Sequence, residues 1–152
     1  MTDRQKTTEA VFVAILKQDS VLLQLRKNTG WLDGSYDLLS GHIEPGEKFL
    51  TAGVREVAEE GGLTVKQEDL ELFHVSQHEG GNKGPYTYFM FRAGKWQGKL
   101  ATNDPDKVEE LKFVPLNNLP DNTAPYVKRA LRDIAANTVT FAYFNSDGTE
   151  NT

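Results

Sequence analysis

Cysteine is absent from the 152-residue chain. Disulfide bonds, cysteine nucleophiles and thiolate metal sites are therefore excluded, and any bound metal ion must use oxygen or histidine ligands. Cations that prefer oxygen ligands become the first expectation for a metal site.

Long hydrophobic runs and local clusters of lysine and arginine are also missing. No apolar stretch approaches the ~18 residues of a membrane-spanning helix, and the first residues carry charge where a signal peptide needs an uninterrupted apolar run. We therefore expect a cytoplasmic protein that does not bind a membrane. The formal net charge of -5 disfavours binding to a nucleic acid polymer. A polyphosphate substrate would then need a metal ion to bridge it to the acidic protein.

The pattern of apolar residues and turns predicts a single α/β domain over residues 1–152, with a core at about 8–136 and a C-terminal strand or tail at about 137–152. The order of elements indicates a mixed sheet with helices packed against it. The predicted strands are 9–16 and 20–26, which form a hairpin, then 36–40, 70–77, 86–92, 110–114 and a last one in VTFAYF. Helices are predicted at 48–60 and 126–136.

The first predicted helix carries three glutamates on one side. On an ideal helix Glu56, Glu59 and Glu60 fall within an arc of about 100°, and the apolar residues lie opposite, namely Leu50, Val54, Val57 and Ala58. Like charges at this spacing destabilise a helix and raise each other's pKa. A divalent cation such as Mg²⁺ would neutralise them through its preferred oxygen ligands. The alternative is a solvated acidic face on a surface helix.

The segment GHIEPGEKFLTAGVREVAEEGGL, from Gly41 to Leu63, closely resembles the Nudix family motif. That motif is a Gly, five residues, a Glu, seven residues, and then Arg, Glu, aliphatic, any, Glu, Glu, any, Gly, aliphatic. Every fixed position is matched, by Gly41, Glu47, Arg55, Glu56, Val57, Glu59, Glu60, Gly62 and Leu63. The resemblance implies the family's α/β/α sandwich with a central mixed sheet, and the flanking elements fit it over about residues 8–136.

The resemblance also implies roles for the residues of the motif. It makes Glu56, Glu59 and Glu60 ligands of Mg²⁺, with Mn²⁺ as an alternative, and one of the three able to deprotonate the attacking water. Gly41 would add its backbone carbonyl. Glu47 and Arg55 resemble the pair that fastens the loop to the helix, and Arg55 also lies four residues before Glu59, where it can orient that carboxylate.

A further carboxylate from a loop beyond the motif is common among members of the family. The segment NDPDKVEELKF resembles that pattern, and Asp104 is the first candidate. Glu109 and Glu110 are the alternates. The competing interpretation is that these acids are ordinary charges at the start of a strand.

Several residues are candidates for contact with the substrate. Asn122, shortly before Pro125, resembles the asparagine that contacts the base in MutT-type enzymes, but it is also typical of a helix cap or Asx turn. Arg26 and His42 could meet phosphate, whereas a surface ion pair and an ordinary loop position are the alternatives. Rings that could stack on a base, or simply lie in the core, are those of Trp31, Tyr36, Tyr86 and Phe89. His74 and His78 are interpreted as ordinary strand and loop residues.

The resemblance, together with the absence of features typical of other Nudix subfamilies, favours a nucleoside triphosphate as substrate. Glu79 stands where ADP-ribose hydrolases tend to carry proline, Gly80 stands near the usual tyrosine of dinucleoside polyphosphate hydrolases, and the zinc ribbon of the NADH hydrolases needs cysteine. We therefore expect a Mg²⁺-dependent enzyme that converts a nucleoside triphosphate, noncanonical or oxidised bases such as 8-oxo-dGTP included, to monophosphate and pyrophosphate. The alternatives are hydrolysis of ADP-ribose or a nucleotide sugar, and a non-catalytic nucleotide-sensing domain. A homodimer is left open.

Overall fold

The computed structural model describes residues 2–152. Within these residues there are ten strands: β1 Thr8–Lys17, β2 Ser20–Arg26, β3 Tyr36–Asp37, β4 Leu39–His42, β5 Leu63–Thr64, β6 Glu71–His78, β7 Tyr86–Ala93, β8 Gln97–Gly98, β9 Val108–Pro115 and β10 Thr140–Phe144. The helices are α1 Phe49–Gly61 and α2 Pro125–Arg132, with a short 3₁₀ turn at Gln67–Asp69. No helix within the described residues is both long and apolar enough to span a bilayer.

Strands β1 and β2 form the predicted hairpin. Leu16 pairs with Val21 and Lys17 with Ser20, so the turn is the two residues between them, and Gln18 adopts a positive φ of 55°. A two-residue turn of this kind matches the twist of antiparallel strands.

The sheet is mixed, as predicted. The strand order is β10-β6-β7-β1-β2-β3, and in addition β4 pairs with β1 and β9 pairs with β2. Strand β1 runs parallel to β7 but antiparallel to β4, while β6 and β7 are antiparallel. Because residues 10–13 of β1 pair with residues 39–42 of β4, the start of the family-like motif lies beside the central strand.

Both faces of the sheet are covered, which confirms the α/β/α sandwich. Along β1, alternate residues belong to two separate cores: Val11, Val13 and Ile15 pack with α1, and Ala10, Phe12 and Ala14 pack with α2. Successive side chains of a strand point to opposite faces, so a strand buried on both sides appears as the continuous apolar run seen in the sequence.

Helix α1 packs on the sheet through small residues as well as through Val57. Its buried positions are Ala52, Gly53, Glu56, Val57 and Gly61. A Cβ at Gly61 would lie 2.8 Å from Leu39 Cδ1, so a larger residue at position 61 would force the Leu39 side chain to shift. The placement of Ala58 on the inner side was wrong, because Ala58 is exposed and Ala52 and Gly53 take the contact with the sheet instead.

Other boundaries also differ from the prediction. The expected strand 36–40 is two short strands, and β5 and β8, which pair only with each other, were not predicted. Helix α2 ends at Arg132 rather than at 136. The carbonyl of Ile134 accepts a hydrogen bond from Arg92, and the chain turns there towards β10. The helix is therefore shorter than the alanines of this segment would favour, and a tertiary contact lies just beyond its end.

Candidate active site

Glu56 lies on the buried face of α1, against strand β4. It is only 8% exposed, and a Cβ built on Gly41 would lie 1.9 Å from Glu56 Oε1 and 2.0 Å from Cδ. Since real side chains do not approach so closely, only glycine at position 41 allows the Glu56 carboxylate to occupy this place. Burial raises the pKa of Glu56, and the neighbouring Arg55 opposes that rise.

Glu60 lies one turn further along the same face. Its Oε1 accepts hydrogen bonds from the Ser40 backbone N–H at 2.5 Å and from Gln24 Nε2 at 3.0 Å. Burial raises the pKa of Glu60 to about 8, an effect that the hydrogen bond from Ser40 opposes and the charge of Glu56 reinforces. Gln24 is itself buried and also donates to the Leu38 carbonyl at 2.8 Å.

Arg55 joins the loop at 41–47 to the helix. Its Nε and Nη2 donate to the two carboxylate oxygens of Glu47 at 2.8 and 2.9 Å, and Nη2 also donates to the His42 carbonyl at 3.1 Å. The hydrogen bonds from Arg55 lower the pKa of Glu47 to about 2. The predicted pairing of Arg55 with Glu47 is therefore present, in the bidentate form that fixes both partners.

The same guanidinium also contacts acids of α1. Arg55 Nη1 lies 2.6 Å from Glu56 Oε1 and 3.3 Å from Glu59 Oε2. Glu59 is 56% exposed, and among residues 2–152 no three acidic or histidine side chains converge into a ready set of metal ligands. The five expected ligands are thus not gathered in one sphere, because Arg55 draws Glu56 and Glu59 to itself while Glu60 faces Ser40.

A cleft of about 390 Å³ opens beside Glu60 and Gly41. Asp104 lines it together with these residues, as do Arg26 and His42. Of the expected extra carboxylates, Asp104 is the one at the cleft. Glu109 forms an ion pair with Lys27 at 3.1 Å, and Glu110 accepts a hydrogen bond from Tyr36 at 3.0 Å.

Buried polar residues form the bottom of this cleft, and they were not predicted from the sequence. Asp37 is buried, accepts a hydrogen bond from the Tyr126 hydroxyl at 2.7 Å, and lies 3.4 Å from Arg26 Nη1. Burial raises the pKa of Asp37, and the hydrogen bond from Tyr126 and the charge of Arg26 oppose that rise. Gln24 in β2 and Asp37 in β3 are polar residues that interrupt apolar strands. This interruption is the sequence feature that could have indicated the buried polar residues of the cleft.

Two of the predicted substrate residues lie outside the cleft. The ring of Tyr36 is buried in the core with Lys112 Nζ 4.7 Å from its centroid. Asn122 donates from its amide to the Gly34 carbonyl at 2.8 Å. The helix-cap alternative for Asn122 is wrong, because Ala124 occupies the N-cap of α2 and no side chain caps that end.

Some of the candidate rings line the cleft, whereas the others and the remaining histidines pack elsewhere in the fold. Trp31 and Tyr86 line the cleft, whereas Phe89 packs on Phe49 with ring centroids 4.5 Å apart. His74 is fully buried with Nδ1 2.7 Å from Thr140 Oγ1. His78 packs against Tyr88, with ring centroids 3.9 Å apart.

An acid-bearing helix, a glycine that admits a buried glutamate and a bidentate arginine that fastens the preceding loop are the features of the motif between Gly41 and Leu63. The NUDIX domain model matches residues 6–134 of this chain. The chain belongs to the Nudix family.

Among curated relatives, the ADP-ribose pyrophosphatase of Methanocaldococcus jannaschii is 32% identical over 106 residues, and the 8-oxo-dGDP phosphatase of Homo sapiens is 36% identical over 114 residues. These alignments span 70% and 73% of this chain but only 61% and 32% of the relatives. A crystal structure of a MutT NUDIX hydrolase from Burkholderia pseudomallei superposes with a TM-score of 0.77 at 24% identity, over 84% of this chain and 98% of that one. This similarity supports the fold.

Proposed function

We propose that this protein hydrolyses the diphosphate linkage of a nucleoside triphosphate, noncanonical or oxidised bases included, to give the monophosphate and pyrophosphate. Glu56, Glu59 and Glu60, with the carbonyl of Gly41 and the carboxylate of Asp104, would hold Mg²⁺ or Mn²⁺. The observation that carries the proposal is the buried Glu56 packed against Gly41, with Glu60 on the same face of α1 at a cleft that Asp104 also lines.

The chemistry of these side chains fits a divalent cation. The described donors at this end of the cleft are mainly oxygen atoms, which Mg²⁺ and Mn²⁺ prefer. Burial raises the pKa of both Glu56 and Glu60, and a bound cation would favour their charged forms. Glu59 could join them at small cost, because an exposed ion pair such as the one with Arg55 contributes at most about 1 kcal/mol.

Each residue would contribute a distinct part of the reaction. Bound metal ions would supply electrostatic stabilisation of the charge that develops on the phosphoryl oxygens. One of the three glutamates would accept the proton of the attacking water, and Arg55 and Glu47 would hold the loop and the helix in register. Arg26 reaches the cleft, where its guanidinium can contact a phosphate group. His42 lies at the same edge and is a second candidate for this contact.

A panel of nucleotides with Mg²⁺ tests the proposal through its products. We expect pyrophosphate release from at least one nucleoside triphosphate, abolished by EDTA and by Glu60→Gln. The relative from Methanocaldococcus jannaschii favours a second candidate, ADP-ribose, which would give AMP and ribose 5-phosphate. Binding of nucleotides without turnover of any of them would instead identify a nucleotide-sensing domain and refute the enzyme.

We also propose the partner and the cellular location of the protein. We expect a small-molecule nucleotide as the partner, rather than a nucleic acid polymer or a membrane, and action in the cytoplasm. A homodimer is an open alternative that size-exclusion chromatography with light scattering tests directly.

A further inference from the structure

A second cavity, of about 550 Å³, adjoins the acid-lined cleft. The two share a border of six residues, Thr29, Trp31, Lys83, Tyr86, Tyr88 and Tyr126. On its far side the second cavity is closed by the end of β10 and by the turn at 145–148. We refer to this second cavity as the aromatic compartment.

The far wall comes from a part of the chain that follows the family domain, which ends at residue 134. Strand β10 brings it there by pairing in parallel with β6, so that Phe144 lies beside His78. Three contacts then hold the turn: Asn145 N–H donates to the Thr149 carbonyl at 2.8 Å, Gly148 N–H to the Asn145 carbonyl at 2.9 Å, and Ser146 N–H to Glu79 Oε2 at 3.1 Å. The wall is therefore built by specific contacts and is not a loose tail.

The compartment is suited to a flat, uncharged ring. His78 stacks on Phe144 with ring centroids 5.0 Å apart and planes 6° apart, and burial lowers the pKa of His78 to about 4, so this surface is uncharged at neutral pH. Trp31 is 54% exposed at the border. An exposed tryptophan beside a cavity is a surface on which a planar ring can stack.

We infer that the aromatic compartment binds the nucleobase of the substrate and that the segment 144–148 is a specificity-determining wall. A base at Trp31 would place the attached sugar and phosphates across the shared border, towards Arg26 and Glu60. The inference rests on the proposed function for the identity of the ligand, but the ring-binding surface itself does not depend on catalysis.

Asp147 gives this wall a chemical preference. Its Oδ1 accepts hydrogen bonds from the Thr149 backbone N–H at 2.9 Å and from Thr149 Oγ1 at 2.6 Å, while within residues 2–152 no donor contacts Oδ2. A carboxylate accepts hydrogen bonds and does not donate them. The wall should therefore favour a base edge that offers N–H donors, as guanine does at N1 and its 2-amino group, over an edge that presents a ring acceptor, as adenine does at N1.

Tryptophan fluorescence can test the ring site without metal and without turnover. The chain has two tryptophans, and Trp96 lies away from both cavities, stacked on Phe113 at 5.7 Å. The variant Trp96→Phe therefore leaves Trp31 as the only reporter. In this protein, with EDTA present, we expect guanosine monophosphate to change the Trp31 emission in a saturable way and pyrophosphate to leave it unchanged. Equal responses to both, or no saturable response to the nucleotide, would overturn the ring site.

Calorimetry on four further variants tests the border and the wall. Trp31→Ala should weaken nucleotide binding at least tenfold and Trp31→Phe much less. Asp147→Asn should reduce the preference for guanosine over adenosine monophosphate by about tenfold. Phe141→Ala removes an exposed ring of the same strand that lies outside the compartment, and should change neither value. An unchanged preference in Asp147→Asn would refute the specificity role of the wall.

The two proposals can fail separately. Pyrophosphate release from a nucleoside triphosphate, together with no fluorescence response of Trp31, would leave the hydrolase intact and refute the compartment. Saturable binding at Trp31 with no hydrolysis of any nucleotide would have the opposite meaning.

Discussion

Replacing Gly41 by alanine should remove activity while barely changing the fold. The new Cβ would lie 1.9 Å from Glu56 Oε1, whereas an ordinary contact needs about 3.5 Å. The carboxylate must therefore move by roughly 1.5 Å, the difference between these two distances. A displacement of about 1 Å can cost a factor of about 100 in rate, so we expect kcat to fall at least that far.

The stability of Gly41→Ala should change little, for two reasons. The φ of Gly41 is not in the left-handed region, so alanine there strains no backbone. Arg55 would lose its contact with Glu56 but would keep both hydrogen bonds to Glu47. Thermal unfolding followed by circular dichroism measures this part of the prediction, and steady-state rates with Mg²⁺ measure the other.

Gly46 provides the matched control in the same loop. It has a φ of 79°, and a Cβ there would meet no atom within 4 Å. Alanine in the left-handed region costs roughly 1–2 kcal/mol, so Gly46→Ala should lower the unfolding free energy by that amount and keep most of the activity. Near wild-type kcat in Gly41→Ala, or a loss of both rate and stability in both variants, would refute the proposed effect of the Gly41–Glu56 contact on catalysis.

Three further predictions concern Glu60, the pair of Arg55 and Glu47, and His74. Glu60→Gln should lower the rate at least a hundredfold and keep or raise the melting temperature, because a neutral amide is less costly to bury than a carboxylate; near wild-type kcat would exclude Glu60 from the metal site. Arg55→Ala and Glu47→Ala should lower the rate and the melting temperature by no more in combination than singly, and additive effects in a double-mutant cycle would argue against their coupling. Burial lowers the pKa of His74 to about 4 from 6.5, so the unfolded chain binds the proton more tightly and stability should fall as pH drops from about 6.5 towards 4, by at most about 3 kcal/mol. In urea unfolding across this range, the free energy of unfolding of His74→Leu should depend less steeply on pH than that of the wild type. Identical slopes would contradict the lowered pKa of His74.

Local patterns were sufficient to predict the main elements. The apolar run of β1, the turn after it and the helical spacing of α1 are each set by neighbours within a few residues, and the structure confirms all three. The pairing of Arg55 with Glu47 followed from the resemblance, since the spacing between loop and helix is fixed in the motif.

Contacts between distant residues were not predictable in the same way. The inner face of α1 was assigned by hydrophobicity, but Gly53 and Glu56 lie there and Ala58 does not, because the sheet contributes Gly41 and Ser40 at that point. Gln24 was not singled out from the sequence. Gln24 is buried because β4 and Glu60 cover it, and the sequence alone does not indicate that they lie close to it.

The C-terminal segment shows the same limit at a larger scale. VTFAYF predicts a strand, but nothing local indicates that it pairs in parallel with β6 or that Phe144 comes to lie on His78. Parallel pairing joins residues that are far apart in the sequence, here Thr140 with His74. The interpretation of His78 as an ordinary strand residue was therefore reasonable from its neighbours, and the cavity beside it became visible only from the assembled fold.

In the absence of a cation, the burial of Glu56 and Glu60 against the sheet opposes folding. This cost links the stability of the fold to the binding of a cation. An α1 with leucine at both positions would bury more apolar surface, at a gain of roughly 1.5–3 kcal/mol for each side chain. The chain instead places two carboxylates of raised pKa there and admits one of them through a glycine. A cation bound by these groups would relieve their repulsion and desolvation only in the folded state, so binding and stability are linked. Added Mg²⁺ should consequently raise the melting temperature of the wild type more than that of Glu60→Gln, and an equal rise in both would show that the cation binds elsewhere.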